Sequence, residues 1–275
     1  MKKNITLVFT YLLLGIAASI SIFPFIWAIF SATNPSVDVT GGRFLPGDHL
    51  AENWETMVQL TDFTRAFFNS LRISVITTVV SLLISSMAGY GFEIFRSKAR
   101  DIVFSILLGS MMIPFAALMV PMFRMFANIT PILPIFGINS PGAVILPTAA
   151  TAFLIFFFRQ STKMFPRELI EAGRIDGLSE IAIFFRIYIP TMKTTYAATG
   201  IIAFMTSWNN FLWPLLVLRA SEQQTLPILI SNLGAGFTPD FGAIMLVVVL
   251  ATVPTAIVFF VLQKHFVAGM MGSVK

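Results

Sequence analysis

The sequence predicts an all-α, polytopic membrane protein with six transmembrane helices, and three observations lead there. Charged residues fill only 11% of the 275 positions against 56% hydrophobic, with a mean hydropathy of +0.85; a soluble domain usually carries about 25% charged and 45–50% apolar residues. Six stretches are long and apolar enough to cross the hydrocarbon core as helices of about 20 residues. Lysine and arginine then divide unequally between the connections, as they do when one side faces the cytoplasm.

The six stretches are Leu7–Phe30, Leu71–Phe92, Ile102–Phe123, Gly142–Phe158, Thr195–Leu218 and Phe241–Gln263, the fourth being the shortest. The first follows Met1-Lys2-Lys3, as a secretion signal would. A signal's apolar core runs about 7–15 residues, whereas no charge interrupts Asn4 to Val37, so it reads as an uncleaved span; Ala17-Ala18-Ser19 leaves cleavage as the alternative. The one long outer connection, Ser31–Ser70, has turn residues at Gly41-Gly42 and Pro46-Gly47 and reads as a surface segment of a single transmembrane domain covering 1–275. One side collects Lys2, Lys3, Arg96, Lys98, Arg100, Arg159, Lys163, Arg167, Arg174, Arg186, Lys193, Lys264 and Lys275; the other holds Arg43, Arg65, Arg72, Arg124 and Arg219. Thirteen against five of the eighteen places both termini in the cytoplasm. The net charge of +5 then reflects topology, not nucleic-acid binding.

Several function classes fall away. With no cysteine there is no disulfide, thiol nucleophile or cysteine metal site, and His49 and His265 stand at opposite ends of the chain. No Asp, Glu, Lys, Arg or His lies deep within a proposed span. Such groups cost at least about 2.5–3.5 kcal/mol at the bilayer centre and usually mark ion coupling or proton relay. Sodium sites of neutral oxygens stay possible. No Gly-x-x-x-x-Gly-Lys-Ser/Thr loop is present to bind ATP, so active transport would draw its energy from a partner. Proline enters five of the six spans, at Pro24, Pro114, Pro121, Pro147, Pro214 and Pro254. Either this is the ordinary tolerance of membrane helices for proline, or the helices bend around a pathway.

The longest cytoplasmic connection, Arg159–Thr194, reads as a helix–turn–helix. Pro166 suits a first turn, Arg167–Asp176 favours helix, and Gly177 suits a helix end. Ser179 can cap a second helix, which Pro190 tends to interrupt. Ala172 and Gly173 leave a low ridge that another protein's surface could approach; a glycine inside a helix costs about 1 kcal/mol against alanine and invites a packing explanation. The alternative is an amphipathic helix resting on the membrane surface.

This connection resembles the loop of ATP-binding-cassette (ABC) importer permeases, written Glu-Ala-Ala, three residues, Gly, nine residues, Ile-x-Leu-Pro. Here stand Glu171-Ala172-Gly173, three residues, Gly177, nine residues and Ile187-Tyr188-Ile189-Pro190. The departures are Gly173 for alanine and Ile189 for leucine, the first of which would loosen the first helix. The resemblance implies that Glu171, Ala172, Gly173, Arg174, Asp176, Gly177 and Pro190 form a coupling helix docking on a separate ATPase subunit. ATP and magnesium would be held by that subunit, with no cofactor on this chain.

Further segments are similar to the sugar-type permeases, particularly the group of the maltose permease G protein. They are Glu52-Asn53-Trp54, Phe68-Asn69-Ser70-Leu71, Ala88-Gly89-Tyr90-Gly91-Phe92, Met112-Ile113-Pro114, Val120-Pro121, Arg174-Ile175-Asp176-Gly177, Ser207-Trp208-Asn209-Asn210-Phe211, Phe266-Val267-Ala268-Gly269 and Gly272-Ser273-Val274-Lys275. Physically, Trp208, Asn209, Asn210 and Phe211 could face a sugar, about 20 Å into their span at 1.5 Å per residue. Alternatively the asparagines join helices and the tryptophan fills space. The resemblance implies a non-catalytic subunit in a bacterial inner membrane. Its partners would be a second permease, two ATPase subunits and an extracytoplasmic solute-binding protein, and its solute a sugar or oligosaccharide. The rivals are an importer of a polyamine or glycerol phosphate, a self-contained carrier or channel, and an intramembrane enzyme, for which the spans offer no acid, base or nucleophile pair.

Overall fold

The apolar stretches do fold as helices, but not all of them are continuous. The structure, a computed structural model, describes residues 2–236 and 238–272, with side chains placed for 6–236 and 238–263. The tail segments from Phe266 to Lys275, and the charges of Lys2, Lys3, Lys264, His265 and Lys275, lie outside those side chains. Among the described residues there is no strand. The α-helices run α1 Lys2–Ser31, α2 Ser36–Thr40, α3 Leu50–Leu60, α4 Phe63–Ile94, α5 Lys98–Ser110, α6 Phe115–Ile129, α7 Pro141–Thr148 and α8 Ala152–Thr162. They continue as α9 Arg167–Ile175, α10 Glu180–Ile183, α11 Ile189–Thr191, α12 Lys193–Trp208, α13 Leu212–Val217, α14 Leu226–Gly234 and α15 Phe241–Gly272.

Among the described residues, three helices are long and apolar enough to cross a membrane unbroken, over Thr6–Ser31, Phe63–Ile94 and Phe241–Gln263. They cover the first, second and sixth expected spans. The second starts earlier than its apolar run because the Asp62 carboxylate accepts from the Arg65 amide at 3.1 Å and caps the helix there. The third stretch is a pair, α5 and α6, meeting at 100°. Pro114, extended at ψ 132, has no N–H to carry the helix through the break. The fourth is the pair α7 and α8, bent by 41°, with Thr151 capping α8 by accepting from the Leu154 amide. Counting each bent pair as one span gives up to five. The fifth stretch is divided at Asn209–Phe211 into α12 and α13, of 16 and 6 residues, each too short to cross alone. Pro24 and Pro254, by contrast, sit inside continuous helices.

The chain forms two compact units, Met1–Arg65 with Ile228–Val253, and Ala66–Pro227 with Pro254–Lys275. In the first, two asparagines hold the connection after α1. Asn34 Nδ2 donates to the Phe30 and Leu45 carbonyls at 2.8 Å each, and the buried Asn53 Nδ2 donates to those of Ala32 and Asn34 at 2.9 and 3.0 Å. Gly242 of α15 passes so close that a Cβ there would stand 2.5 Å from the Asn34 carbonyl oxygen. Along most of α1 the apolar side chains are exposed.

In the second unit α4 buries a row of small residues, Ser70, Ser74, Thr77, Ser81, Ser85 and Gly89, spaced by three or four so that they share a face. Small residues let backbones approach closely, and a Cβ on Gly89 would lie 2.6 Å from Phe158 Cβ of α8. Asn69 and Ser70 tie the start of α4 to the chain before α14. Asn69 Nδ2 donates to the Glu222 and Gln224 carbonyls, and the Leu226 amide donates to Ser70 Oγ at 2.8 Å. The buried Trp213 of α13 donates from Nε1 to the Ala143 carbonyl of α7 at 2.8 Å.

Candidate functional site: a helix–turn–helix between spans

α9 is amphipathic. Ile170 and Gly173 face inward, while Glu168, Glu171, Ala172 and Arg174 face out. It starts after Pro166, which stands just before the helix with an extended ψ of 111. It ends with two reciprocal backbone bonds: the Gly177 amide donates to the Arg174 carbonyl at 3.1 Å, and the Leu178 amide to that of Gly173 at 2.9 Å. This six-to-one, five-to-two closure needs a left-handed residue after the helix, and Gly177 has φ +77 with nothing within 4 Å of where its Cβ would be. Ser179 then accepts from the Ala182 amide to start α10. Arg174 Nε donates to Glu180 Oε1 at 2.7 Å across the turn.

Two details differ from the sequence expectation. Pro190 does not interrupt the second helix. A π-helical turn over Phe184–Tyr188 precedes it, the Ile189 amide reaches back to the Phe184 carbonyl, and α11 continues through Pro190. The break comes at Met192, with φ −90 and ψ 19. Nor does Gly173 form an outward ridge. It is buried, and a Cβ there would sit 2.8 Å from Ile187 Cδ1 and 3.1 Å from Ile183 Cγ1. The glycine lets α9 lie against its own second helix, while Ala172 alone of the two is exposed.

Beneath lies an apolar core of Tyr90, Phe165, Ile170, Ile183, Phe184, Tyr188 and Met192. Tyr90 belongs to α4 and packs edge-on against Phe184 and Tyr188, with ring centroids 5.4 and 4.9 Å apart. The helix–turn–helix is therefore seated on the end of a spanning helix. The Tyr188 hydroxyl pairs with Thr162 Oγ1 at 2.6 Å, and burial pushes its pKa above the usual phenol range. At the tip the apolar pattern is violated: Ile175 is 85% exposed beside Asp176 and Gly177, also exposed.

A cluster of charges beside this core was missed in the sequence, where its members counted only as connection residues. Glu93 at the end of α4 is 2% exposed and Arg159 of α8 is 5% exposed. Arg159 pairs with Glu93 and Asp101, and Arg167 at the start of α9 also reaches Glu93. The available signal was an acid and a base each standing immediately after an apolar run.

The four span residues considered for a sugar separate. Trp208 is 3% exposed and packed against Phe67 and Phe204, with centroids 5.9 and 5.6 Å away. Asn209 is exposed and its Nδ2 donates to the Met205 carbonyl of its own helix at 2.9 Å. Asn210 and Phe211 are half-buried in the break between α12 and α13. Just before Trp208, Thr206 and Ser207 line a cavity of about 100 Å³ with Thr77 and Ser81 of α4 and Thr148 and Thr151 at the α7–α8 bend, but its surface is mostly apolar, with Phe153, Leu154, Ile202 and Ala203 also lining it. No charged side chain lines it. Among the described residues no group of three or more His, Asp or Glu could hold a metal ion.

The long apolar helices define the class, a multi-pass membrane protein. Residues 81–272 match the family described as binding-protein-dependent transport system inner membrane component, and the chain belongs to that family. It is 42% identical over 275 residues to the lactose transport system permease protein LacG of Rhizobium radiobacter, covering 100% of this chain and 98% of that one. It is 36% identical to the arabinooligosaccharides transport system permease protein AraQ of Halalkalibacterium halodurans, over 100% of both chains. It is 31% identical to the sn-glycerol-3-phosphate transport system permease protein UgpE of Escherichia coli, over 97% and 95%. Among solved structures, it superimposes with a TM-score of 0.83 on a chain of a bacterial ABC transporter involved in the import of the acidic polysaccharide alginate. The identity is 22%, and the match covers 97% of this chain and 98% of that one.

Proposed function

We propose that this chain is one of two permeases in an ATP-driven importer of a sugar or oligosaccharide, coupled to its ATPase through Glu171–Gly177. The observation that carries this is the seated, glycine-closed helix–turn–helix with Ile175 exposed at its tip. A rigid projection of that kind is suited to a cleft on another subunit. Its Tyr90-centred core supports a route for motion from α9 into α4. In this reading a solute-binding protein delivers the sugar from outside, the ATPases close on ATP and magnesium, and the termini lie in the cytoplasm of a bacterial cell. The excess of Lys and Arg on one side supports that orientation. The exposed apolar face of α1 and the broken spans support a second permease and lipid as neighbours.

Relatives named for lactose and arabinooligosaccharides support a sugar as solute. The cavity beside Ser207 offers no charged side chain to the glycerol phosphate named for a more distant relative, which favours a neutral solute. Gentle-detergent purification of the tagged chain, followed by mass spectrometry, tests the assembly. An ATPase and a second permease are expected with the native chain, and loss of the ATPase with Gly177→Asp. Recovery of the chain alone in a lipid-preserving preparation, with solute uptake unaffected by Gly177→Asp or Glu171→Ala, would return it to a self-contained carrier.

A further inference from the structure

The ends of α4, α5, α8 and α9 meet around Glu93, the one carboxylate among the described residues that the second unit buries almost completely. Glu93 Oε1 lies 3.3 Å from Arg167 Nη2 and 3.9 Å from Arg96 Nη1, and its Oε2 lies 3.5 Å from Arg159 Nε. Three guanidinium groups from three segments thus surround one acid. Arg159 in turn holds Asp101 at the start of α5 and lies with its guanidinium 4.0 Å from the Phe104 ring centroid, while Arg96 also approaches Asp101 at 3.8 Å. The members differ sharply in exposure. Glu93 and Arg159 have side chains 3% and 7% exposed, whereas Arg96 and Arg167 are 54% and 61% exposed.

The contacts are also unequal in quality. Glu93 Oε1 accepts a hydrogen bond from Arg167 Nη2 at 3.3 Å and Asp101 accepts one from Arg159, but the approach of Arg159 Nε to Glu93 Oε2 is an ion pair without hydrogen-bond geometry, and neither of those two buried atoms has a hydrogen-bond partner. The hydrogen bond that Glu93 accepts thus comes from the exposed Arg167, while the buried Arg159 neutralises the carboxylate without binding it. Loss of its last counter-charge would be strongly unfavourable, but exchange among three is not. Arg167 opens α9, the helix that docks on the ATPase in the reading above, whereas Arg159 belongs to a span.

We infer that Glu93 is a positioning residue, a buried electrostatic pivot that ties the start of the coupling helix to the ends of α4 and α8. Arg167 is its hydrogen-bonded link to that helix, and Arg159 keeps the carboxylate paired from the span side. Thr162, one turn beyond Arg159, bonds the Tyr188 hydroxyl of the second helix, so the charge pivot lies beside the apolar seat of the same motif. The consequence is specific. Weakening the Glu93–Arg167 contact spares docking and hydrolysis but loosens the link between hydrolysis and solute movement.

This inference rests on the importer reading, and the test separates the two. The complete importer is reconstituted in vesicles with its second permease, ATPase and binding protein, and both solute uptake and ATP hydrolysis are measured. Arg167→Gln, an exposed and conformationally mild change, is expected to lower solute moved per ATP at least five-fold with the ATPase retained. Glu93→Gln should do the same, and the double variant should be no worse than Glu93→Gln alone, as two residues acting through one contact require. Unchanged stoichiometry in Arg167→Gln overturns the pivot. So does loss of the ATPase from that variant, which would make Arg167 a docking contact, and so do additive effects in the double variant. Failure of the native chain to retain an ATPase would instead refute the importer reading itself.

Discussion

Gly177 allows backbone strain to be separated from partner contact at a single position. Its φ of +77 lies in the left-handed region, and its Cβ position is open space, so a small side chain there meets no steric obstacle within the chain. The cost of Gly177→Ala is then conformational, about 1–2 kcal/mol for placing an L-residue in that region, a factor of roughly 5–30 in the population of the closed turn. Gly177→Asn should cost less, because asparagine enters this region more readily. The reporters are the Gly177 and Leu178 amides, which close the helix onto the Arg174 and Gly173 carbonyls. Hydrogen exchange in nanodiscs should show their protection falling by that factor in Gly177→Ala and by roughly five-fold or less in Gly177→Asn. Native-like protection in Gly177→Ala would refute the claim that a left-handed glycine closes α9. If both variants lose the ATPase equally despite unequal protection, the side chain at 177 collides with the partner instead.

Three further outcomes follow from packing. Gly173→Ala should be nearly neutral in thermal unfolding, its helix-propensity gain of about 1 kcal/mol offset by the close approach to Ile187 and Ile183; Gly173→Leu should destabilise by about 1–3 kcal/mol through overpacking. Trp208→Ala should cost about 3–5 kcal/mol because the ring is buried against Phe67 and Phe204, while Asn209→Ala should leave the unfolding midpoint unchanged. Burial raises the pKa of the Tyr188 hydroxyl, so its contribution to stability is fully present below the ordinary phenol pKa of about 10 and falls as pH rises above it, the unfolded chain ionising first. Alkaline unfolding curves of the native chain and Tyr188→Phe should therefore converge only at high pH.

How much was legible depended on whether the signal was local. The spans at Thr6–Ser31 and Phe241–Gln263 were plain because hydropathy accumulates along the chain, and the closure at Gly177 and the cap at Ser179 because a turn needs particular residues at fixed places. Continuity was harder to read. Proline marked the break at Pro114 yet sat quietly within α1 and α15, since a missing N–H matters only where neighbours leave its acceptor unsatisfied. Gly173 was misassigned outward because a sequence does not say which neighbour presses on a small residue; the answer, Ile183 and Ile187, lies on the next helix. The Glu93–Arg159 cluster joins residues 66 apart in number and could be found only by folding the chain.

The most direct test of coupling through Glu171–Gly177 uses the absence of native cysteine. A single cysteine at Ile175, 85% exposed at the tip of the turn, is compared with one at Ile132, 75% exposed in the connection after α6. Membranes carrying the whole assembly are treated with a short bifunctional thiol-to-amine reagent. Cross-linking of Ile175→Cys, but not Ile132→Cys, to the ATPase subunit, with a yield that changes when ATP is bound, is the predicted result. Cross-linking of neither, in membranes where the ATPase is present and uptake proceeds, would contradict the assignment of this loop as the coupling element.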